Sequence, residues 1–254
     1  MLLVVDIGNT HITLGLYDED RLTTTVRLAT DDRLTPDQYA ASIRQVMALH
    51  GADMEQIHGS IVSSVVPTVG DAIRRAVSLL CGKEPLMLGP GVKSGVNIRI
   101  DNPAQLGADL AAGAAGALHR YPLPCIVIDM GTATTVTVLD EHGNFLGGAI
   151  AAGVRLTLEA LANGTAALPS LHPAAPQKVI GRNTVDCMQS GIVYGTAAML
   201  DGLIERMEEE LGQTATVVAT GGLSKEIIAQ CKRDILYDEY LLLDGLRLIY
   251  ERNR

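Results

Sequence analysis

Residues 4–20 read VVDIGNTHITLGLYDED, and residues 127–143 read VIDMGTATTVTVLDEHG. Each stretch runs an apolar strand into Asp, one apolar residue and Gly. A Thr-bearing turn, a second strand and an acidic turn follow. Asp6-Ile7-Gly8-Asn9-Thr10 aligns with Asp129-Met130-Gly131-Thr132-Ala133. The two aspartates are 123 positions apart in a chain of 254 residues. A phrase repeated at nearly half the length implies duplication of a whole domain, with the chemistry expected where the two copies face each other.

Outward from the first copy, residues 2–6, 12–17 and 22–29 are rich in aliphatic and β-branched residues and read as an antiparallel meander. TPDQYAASIRQVMALHG (35–51) has a Thr N-cap, Pro at the first helical position, a 3.6-residue apolar period and a closing Gly, which predicts a helix. GSIVSSVVP (59–67) predicts a strand ended by Pro67, followed by a helix over 71–82 and a short strand at 85–89. DNPAQLGADLAAGAAGALHRY (101–121) predicts a helix capped by Asn102, with Pro103 in its first turn. On that helix Gln105, Asp109, Ala112 and Gly116 form one stripe. Its small residues invite another backbone to approach.

The second copy predicts strands at 124–130, 134–140 and 145–150, then a helix near 154–163 and a polar, Pro-rich loop over 164–181. A long helix from about 184 to 211, a strand at 215–220, a helix opening at GGLS (221–224) and a final helix over roughly 242–252 complete the chain. Strands alternating with helices after a meander indicate α/β sheets. The halves are expected to divide at residues 1–115 and 116–254, inside the 103–120 helix.

Composition excludes several classes. Hydrophobic residues make up 47% and charged residues 19%, which suits a globular chain. A net charge of −9 with scattered basic residues disfavours a nucleic-acid surface. The opening MLLVV is too short for a signal peptide or a membrane span, so no membrane association is expected. Cys81, Cys125, Cys187 and Cys231 lie far apart, and reduced, mostly buried thiols in a cytoplasmic protein are expected. The six histidines show no ligand spacing, so no transition-metal site is expected.

The chemistry concentrates in the repeated turns. A buried strand ending in Asp-x-Gly lets the backbone carry N–H groups to an anion, and Asn9 and Thr10 add donors. Thr220-Gly221-Gly222 supplies a third Gly-containing turn, where Gly221 and Gly222 leave room for a nucleoside.

DIGNTHITLG, SSVVP, NPAQLGAD, IDMGTATT, FLGGAI, GRNTVDCMQSGIVYG, ATGGLS and the terminal GLRLIYERN, in this order, resemble the type III pantothenate kinases. These belong to the acetate-kinase/sugar-kinase/Hsp70/actin superfamily, and the resemblance spans essentially the whole chain. It implies an α/β fold of duplicated ribonuclease-H-like (actin-like ATPase) domains, with mixed central sheets flanked by helices. It implies an ATP phosphate loop at Asp6, Ile7, Gly8, Asn9, Thr10, His11, Ile12 and Thr13, and a second ATP contact at Thr132. Asp129 resembles the ligand of a monovalent cation, potassium or ammonium. Asp109 resembles the catalytic base, Gly107, Ala108, Asp109 and Leu110 the acceptor segment, and Thr184 a further acceptor contact. Magnesium is expected with the nucleotide, because carboxylates beside ATP need cations. A homodimer is also implied, with the apolar stripe in MLDGLIERM (199–207) either core or dimer seam.

Two acceptor-side positions depart from the family pattern: Leu110 stands where Arg is usual, and Ile100 where Tyr is usual. Pantothenate carries a carboxylate, for which Arg offers a bidentate fork. Loss of one such contact costs about 1.5–3 kcal/mol, ten- to a hundred-fold in binding. Arg99, Arg155 or Arg182 could replace it. Three readings follow: phosphorylation of pantothenate in coenzyme A synthesis, phosphorylation of another small, less anionic alcohol, and an inactive ATP-binding regulator. Retention of Asp109 opposes the last, and the first is adopted.

Overall fold

The computed structural model describes residues 1–254. From the N-terminus come β1 (Leu2–Ile7), β2 (His11–Asp18), β3 (Arg21–Ala29), α1 (Pro36–Leu49), β4 (Gly59–Ser64) and α2 (Pro67–Cys81). Next are β5 (Leu86–Met87), β6 (Asn97–Ile98), α3 (Ala108–Arg120), β7 (Cys125–Met130), β8 (Ala133–Leu139) and β9 (Asn144–Ala152). The chain closes with α4 (Val154–Gly164), α5 (Thr184–Leu211), β10 (Thr216–Thr220), α6 (Ser224–Ile228), β11 (Leu236–Tyr237) and α7 (Leu241–Arg252).

Two compact units divide these elements. The first comprises Met1–Val96, Asp101–His119 and Tyr240–Arg254; the second comprises Asn97–Ile100 and Arg120–Glu239. The expected cut at residue 115 thus shifts to 119/120, and neither unit is a continuous half. The C-terminal helix α7 joins the first unit because Leu243, Leu246 and Ile249 pack with Leu2, Val4 and Ile61. Residues 97–100 join the second because β6 pairs with β9.

The first unit holds a five-stranded sheet in the order β3-β2-β1-β4-β5. In it β1 runs antiparallel to β2 and parallel to β4. Alternation along β1 sends Leu3, Val5 and Ile7 into a core with α1 and α2. Leu2 and Val4 face the other way, toward Ala112 and Ala115 of α3 and Leu243 and Leu246 of α7. Asp6 continues this second row.

The second unit holds a six-stranded sheet, β11-β10-β7-β8-β9-β6, whose first five strands repeat the same connectivity. The register repeats too: Asp6 pairs with Thr13, and Asp129 with Thr135. Each meander carries its register shift at the same place, between Leu16 and Tyr17 and between Val138 and Leu139. The duplication read from the sequence therefore extends to topology, register and bulge. Ile126, Ile128 and Met130 pack with Leu200 and Ile204 of α5, so the apolar stripe in MLDGLIERM belongs to the core of this unit rather than to a seam.

Several local expectations change. Pro67 opens α2 instead of ending β4, and Ser64 makes the intervening turn by accepting from the Val66 N–H at 3.1 Å. The helix expected over 101–121 is two pieces. Asn102 caps a 3-10 turn, Pro103–Gln105, and α3 starts only at Ala108, with the Ala111 N–H donating to the Gly107 carbonyl. Gln105 therefore shares no helical stripe with Asp109. The rest of that stripe behaves as read, because a Cβ on Gly116 would lie 2.4 Å from the Leu241 carbonyl oxygen. A Cβ on Gly245 would lie 1.8 Å from the Ala112 carbonyl oxygen. Helices α3 and α7 thus touch backbone to backbone. Among the cysteines only Cys125 is buried; Cys81 and Cys231 are half-buried and Cys187 is exposed, all four free.

Candidate active site

In the first unit β1 delivers Asp6 to the sheet face beneath α3. Directly registered residues point to one side, so Thr13 on β2 and Ser63 on β4 flank Asp6. Burial pushes the Asp6 carboxyl up to about 6; Ser63 holds it down, and the nearby Asp109 carboxylate raises it further. Ser63 does so without closing a hydrogen bond of ordinary geometry, and its buried Oγ has no other partner.

The turn after Asp6 is tied back on itself. The Gly8 N–H donates to the His11 carbonyl at 2.9 Å, and the Gly8 carbonyl accepts from Thr30 Oγ1 at 2.7 Å. That N–H is therefore engaged within the turn, not offered to an anion as the sequence suggested. Asn9, Thr10 and His11 form the exposed tip. Ile7 and Ile12 lie fully in the core, so only their backbones border the loop.

Asp109 occupies the first turn of α3, and its Oδ1 accepts from the Leu110 N–H at 2.8 Å. Burial raises its carboxyl above the ordinary range, against the lowering effect of the Leu110 and Asp109 N–H groups. Gly107 allows this arrangement, because a Cβ there would lie 2.4 Å from Asp109 Oδ1. Ala108 and Leu110 are half-buried beside it. The structure thus brings Asp6 and Asp109 into electrostatic contact within one unit.

In the second unit Asp129 has the same environment, flanked in register by Thr135 and Thr220. Thr135 Oγ1 is buried without a hydrogen-bond partner. The Gly131 N–H donates to the Ala133 carbonyl, as Gly8 does to His11, and Thr132 is exposed at the tip. Two glycines clamp this turn. Gly221 has φ +99°, and a Cβ on it would lie 2.5 Å from the Met130 carbonyl oxygen. Gly153, the N-cap of α4, donates to the Thr132 carbonyl at 3.0 Å and leaves no room for a Cβ. Gly222 is exposed beside Gly221.

The remaining acceptor candidates stand on other elements of the second unit. Thr184 opens α5 immediately after its N-cap Asn183 and is exposed. Ile100 lies against Gly147 of β9, half-buried. Arg99, Arg155 and Arg182 are exposed and form no ion pair. The carboxylate-and-hydroxyl rows at Asp6 and Asp129 are oxygen donors only, which fits hard cations such as magnesium or potassium. Ser63, Thr30, Thr135 and Gly153 were missed by sequence reasoning, and Thr220 was read only as part of the Gly221 turn, not as a partner in register with Asp129. Ser63 carries a signal in the Ser-Ser of SSVVP, but Thr30 reaches Gly8 from 22 residues away and leaves none.

Two sheets that share a five-strand connectivity, each with Asp next to the last residue of its first strand and between hydroxyls, define a duplicated α/β protein of the actin-like fold. A solved structure similar in fold, the (R)-2-hydroxyglutaryl-CoA dehydratase component A of Acidaminococcus fermentans, matches with a TM-score of 0.59 at 16% identity, covering 98% of this chain and 96% of that one. A sequence model of the type III pantothenate kinases matches residues 2–206. The type III pantothenate kinase of Exiguobacterium sibiricum is 43% identical over 254 residues, all of both chains. That of Moorella thermoacetica is 42% identical over 253 residues, again all of both chains. The chain belongs to the type III pantothenate kinase family.

Proposed function

We propose that this kinase transfers the γ-phosphoryl group of ATP to the hydroxyl of pantothenate, yielding 4'-phosphopantothenate and ADP, the first step of coenzyme A synthesis. The observation that carries the reading is Asp109. It is a part-buried carboxylate at the start of a helix whose Gly-lined packing on α7 sets its position. Burial that raises its proton affinity makes it a better base than an exposed carboxylate.

In this mechanism Asp109 accepts the proton of the acceptor hydroxyl as the oxygen–phosphorus bond forms and the bond to ADP breaks. The loop from Asp6 to Thr13 and the Thr132 turn bind the phosphates, and Gly221 and Gly222 leave the adenosine its approach. Asp6 would hold magnesium bound with the nucleotide, and that ion would supply neutralisation of charge on the phosphates. Asp129, between Thr135 and Thr220, would hold the monovalent cation. Leu110 removes the usual partner of the pantothenate carboxylate, and the unpaired Arg99, Arg155 and Arg182 are the side chains available to meet it.

The enzyme works as a cytoplasmic homodimer in this reading. Support comes from Leu146 and Ile150 of β9, large apolar side chains that are 42% and 75% exposed. No helix is long and apolar enough to cross a membrane.

The test is ADP release from magnesium and ATP, with and without pantothenate, in potassium and then in sodium. Pantothenate-dependent turnover that needs potassium and is lost in Asp109→Asn supports every part. ATP binding without pantothenate dependence would sink the acceptor assignment in favour of a less anionic alcohol.

A further inference from the structure

We infer that Ser63 is a positioning residue of the phosphate loop: in the nucleotide-loaded enzyme its hydroxyl donates to the Asp6 carboxylate and fixes the direction that carboxylate presents to the ATP phosphates and their cation. The inference rests on the assignment of Asp6 to the phosphate loop.

Four observations carry it. Ser63 is the parallel register partner of Asp6, so the two side chains leave the sheet on one face, on strands about 4.8 Å apart. It is 0% exposed, its Oγ closes no hydrogen bond of ordinary geometry, and the one group it acts on is the Asp6 carboxylate, which it holds down. A buried hydroxyl without a well-formed hydrogen bond adds little to the sheet, and an alanine would avoid the cost of burying it. Ser64, its neighbour, is fully engaged: its Oγ donates to the Val66 carbonyl at 3.0 Å and accepts from the Val66 N–H at 3.1 Å. The turn therefore needs Ser64 and not Ser63, and the sheet needs no hydroxyl at 63. The fourth observation comes from the second unit, where the position registered with Asp129 is again a buried hydroxyl, Thr220.

The geometry suits one task. A hydroxyl one strand away from the carboxylate donates a single charge-assisted bond, and that bond removes the freedom of the Asp6 side chain to turn away from its ligand. Ser63 itself does not touch the reacting atoms. Its effect passes through Asp6.

The experiment is calorimetric titration of magnesium and ATP into the full chain, for wild type, Ser63→Ala, Ser63→Thr, Asp6→Ala and the Ser63→Ala/Asp6→Ala double variant, with a thermal melt of each. Ser63→Ala should weaken binding about ten- to a hundred-fold, the worth of one hydrogen bond to a charged group. Its melting temperature should stay close to that of wild type, since the Ser63 hydroxyl closes no hydrogen bond of ordinary geometry within the sheet; a serine needed by the sheet would lower it clearly. Ser63→Thr keeps the hydroxyl and should retain most of the affinity. In the Asp6→Ala background the Ser63→Ala change should cost nothing further. If Asp6→Ala weakens binding and Ser63→Ala does not, the inference is overturned while the phosphate-loop assignment stands. Additive losses in the double variant overturn it as well. If Asp6→Ala binds like wild type, the assignment and the inference fall together.

Discussion

Asp6→Asn should make the free protein more stable while removing its grip on nucleotide. Burial holds the Asp6 carboxyl at about 6, against 3.8 for an unburied one. The native state therefore keeps a proton that the unfolded chain has already released. Stability from this group is greatest below about pH 4, declines as pH rises through about 6, and is flat above. The difference in proton affinity corresponds to about 3 kcal/mol at pH 7.5, and to about half that at pH 5. Asparagine has the same shape and no charge, so it escapes this penalty. Urea unfolding of wild type and variant at pH 5 and 7.5 should show the variant ahead at both, with the gap roughly doubling toward neutrality. Magnesium and ATP at about a thousand times the wild-type Kd should reverse the order, since that adds about 4.1 kcal/mol to whichever protein binds it, more than the gap. A gap of the same size at both pH values, or a variant no more stable than wild type, would refute the assignment of the penalty to this carboxyl.

Two glycine substitutions test the scaffold. Gly245→Ala drives a methyl into the Ala112 carbonyl oxygen, at 1.8 Å without relaxation, so α7 must move off α3. A loss of about 1–3 kcal/mol or more in stability is expected, read by thermal melting, together with a lower kcat because α3 carries Asp109. Gly221→Ala combines the φ of +99° with a Cβ 2.5 Å from the Met130 carbonyl oxygen. It should lower the melting temperature and weaken ATP binding, whereas Gly202→Ala, on the half-buried side of α5 with only the end of the flexible Arg206 side chain nearby, should leave both unchanged.

Much of the fold was legible because the duplicated unit is written in local patterns. The two Asp-x-Gly phrases, the Thr35 cap with Pro36 and the alternation along β1 and β7 all act within a few residues, where backbone sterics and capping decide the outcome. The 101–121 segment was misread for a related reason. Helical periodicity carries through Leu106 and Gly107 in the sequence, but Asn102 captures the Ala104 N–H and closes a short turn, and α3 starts only at Ala108. The return of α7 to the first unit was invisible, because apolar spacing shows that a helix buries a face and not which sheet receives it.

For the site the division is similar. Sequence alone determined which turns carry carboxylates, which glycines break the strands, and which family the ordered motifs resemble, since each is a property of neighbouring residues. Tertiary structure alone decided that Ser63 and Thr13 flank Asp6, that Thr30 fastens Gly8, that Gly153 and Gly221 clamp the Thr132 turn, and that Asp109 lies near enough to Asp6 to raise its proton affinity. Apart from the hairpin pair Asp6 and Thr13, those relations join residues 20 to more than 100 positions apart. They come from strand register and from burial, which lowers the local dielectric and leaves hydroxyls unpaired, and neither is a property of any single stretch of chain.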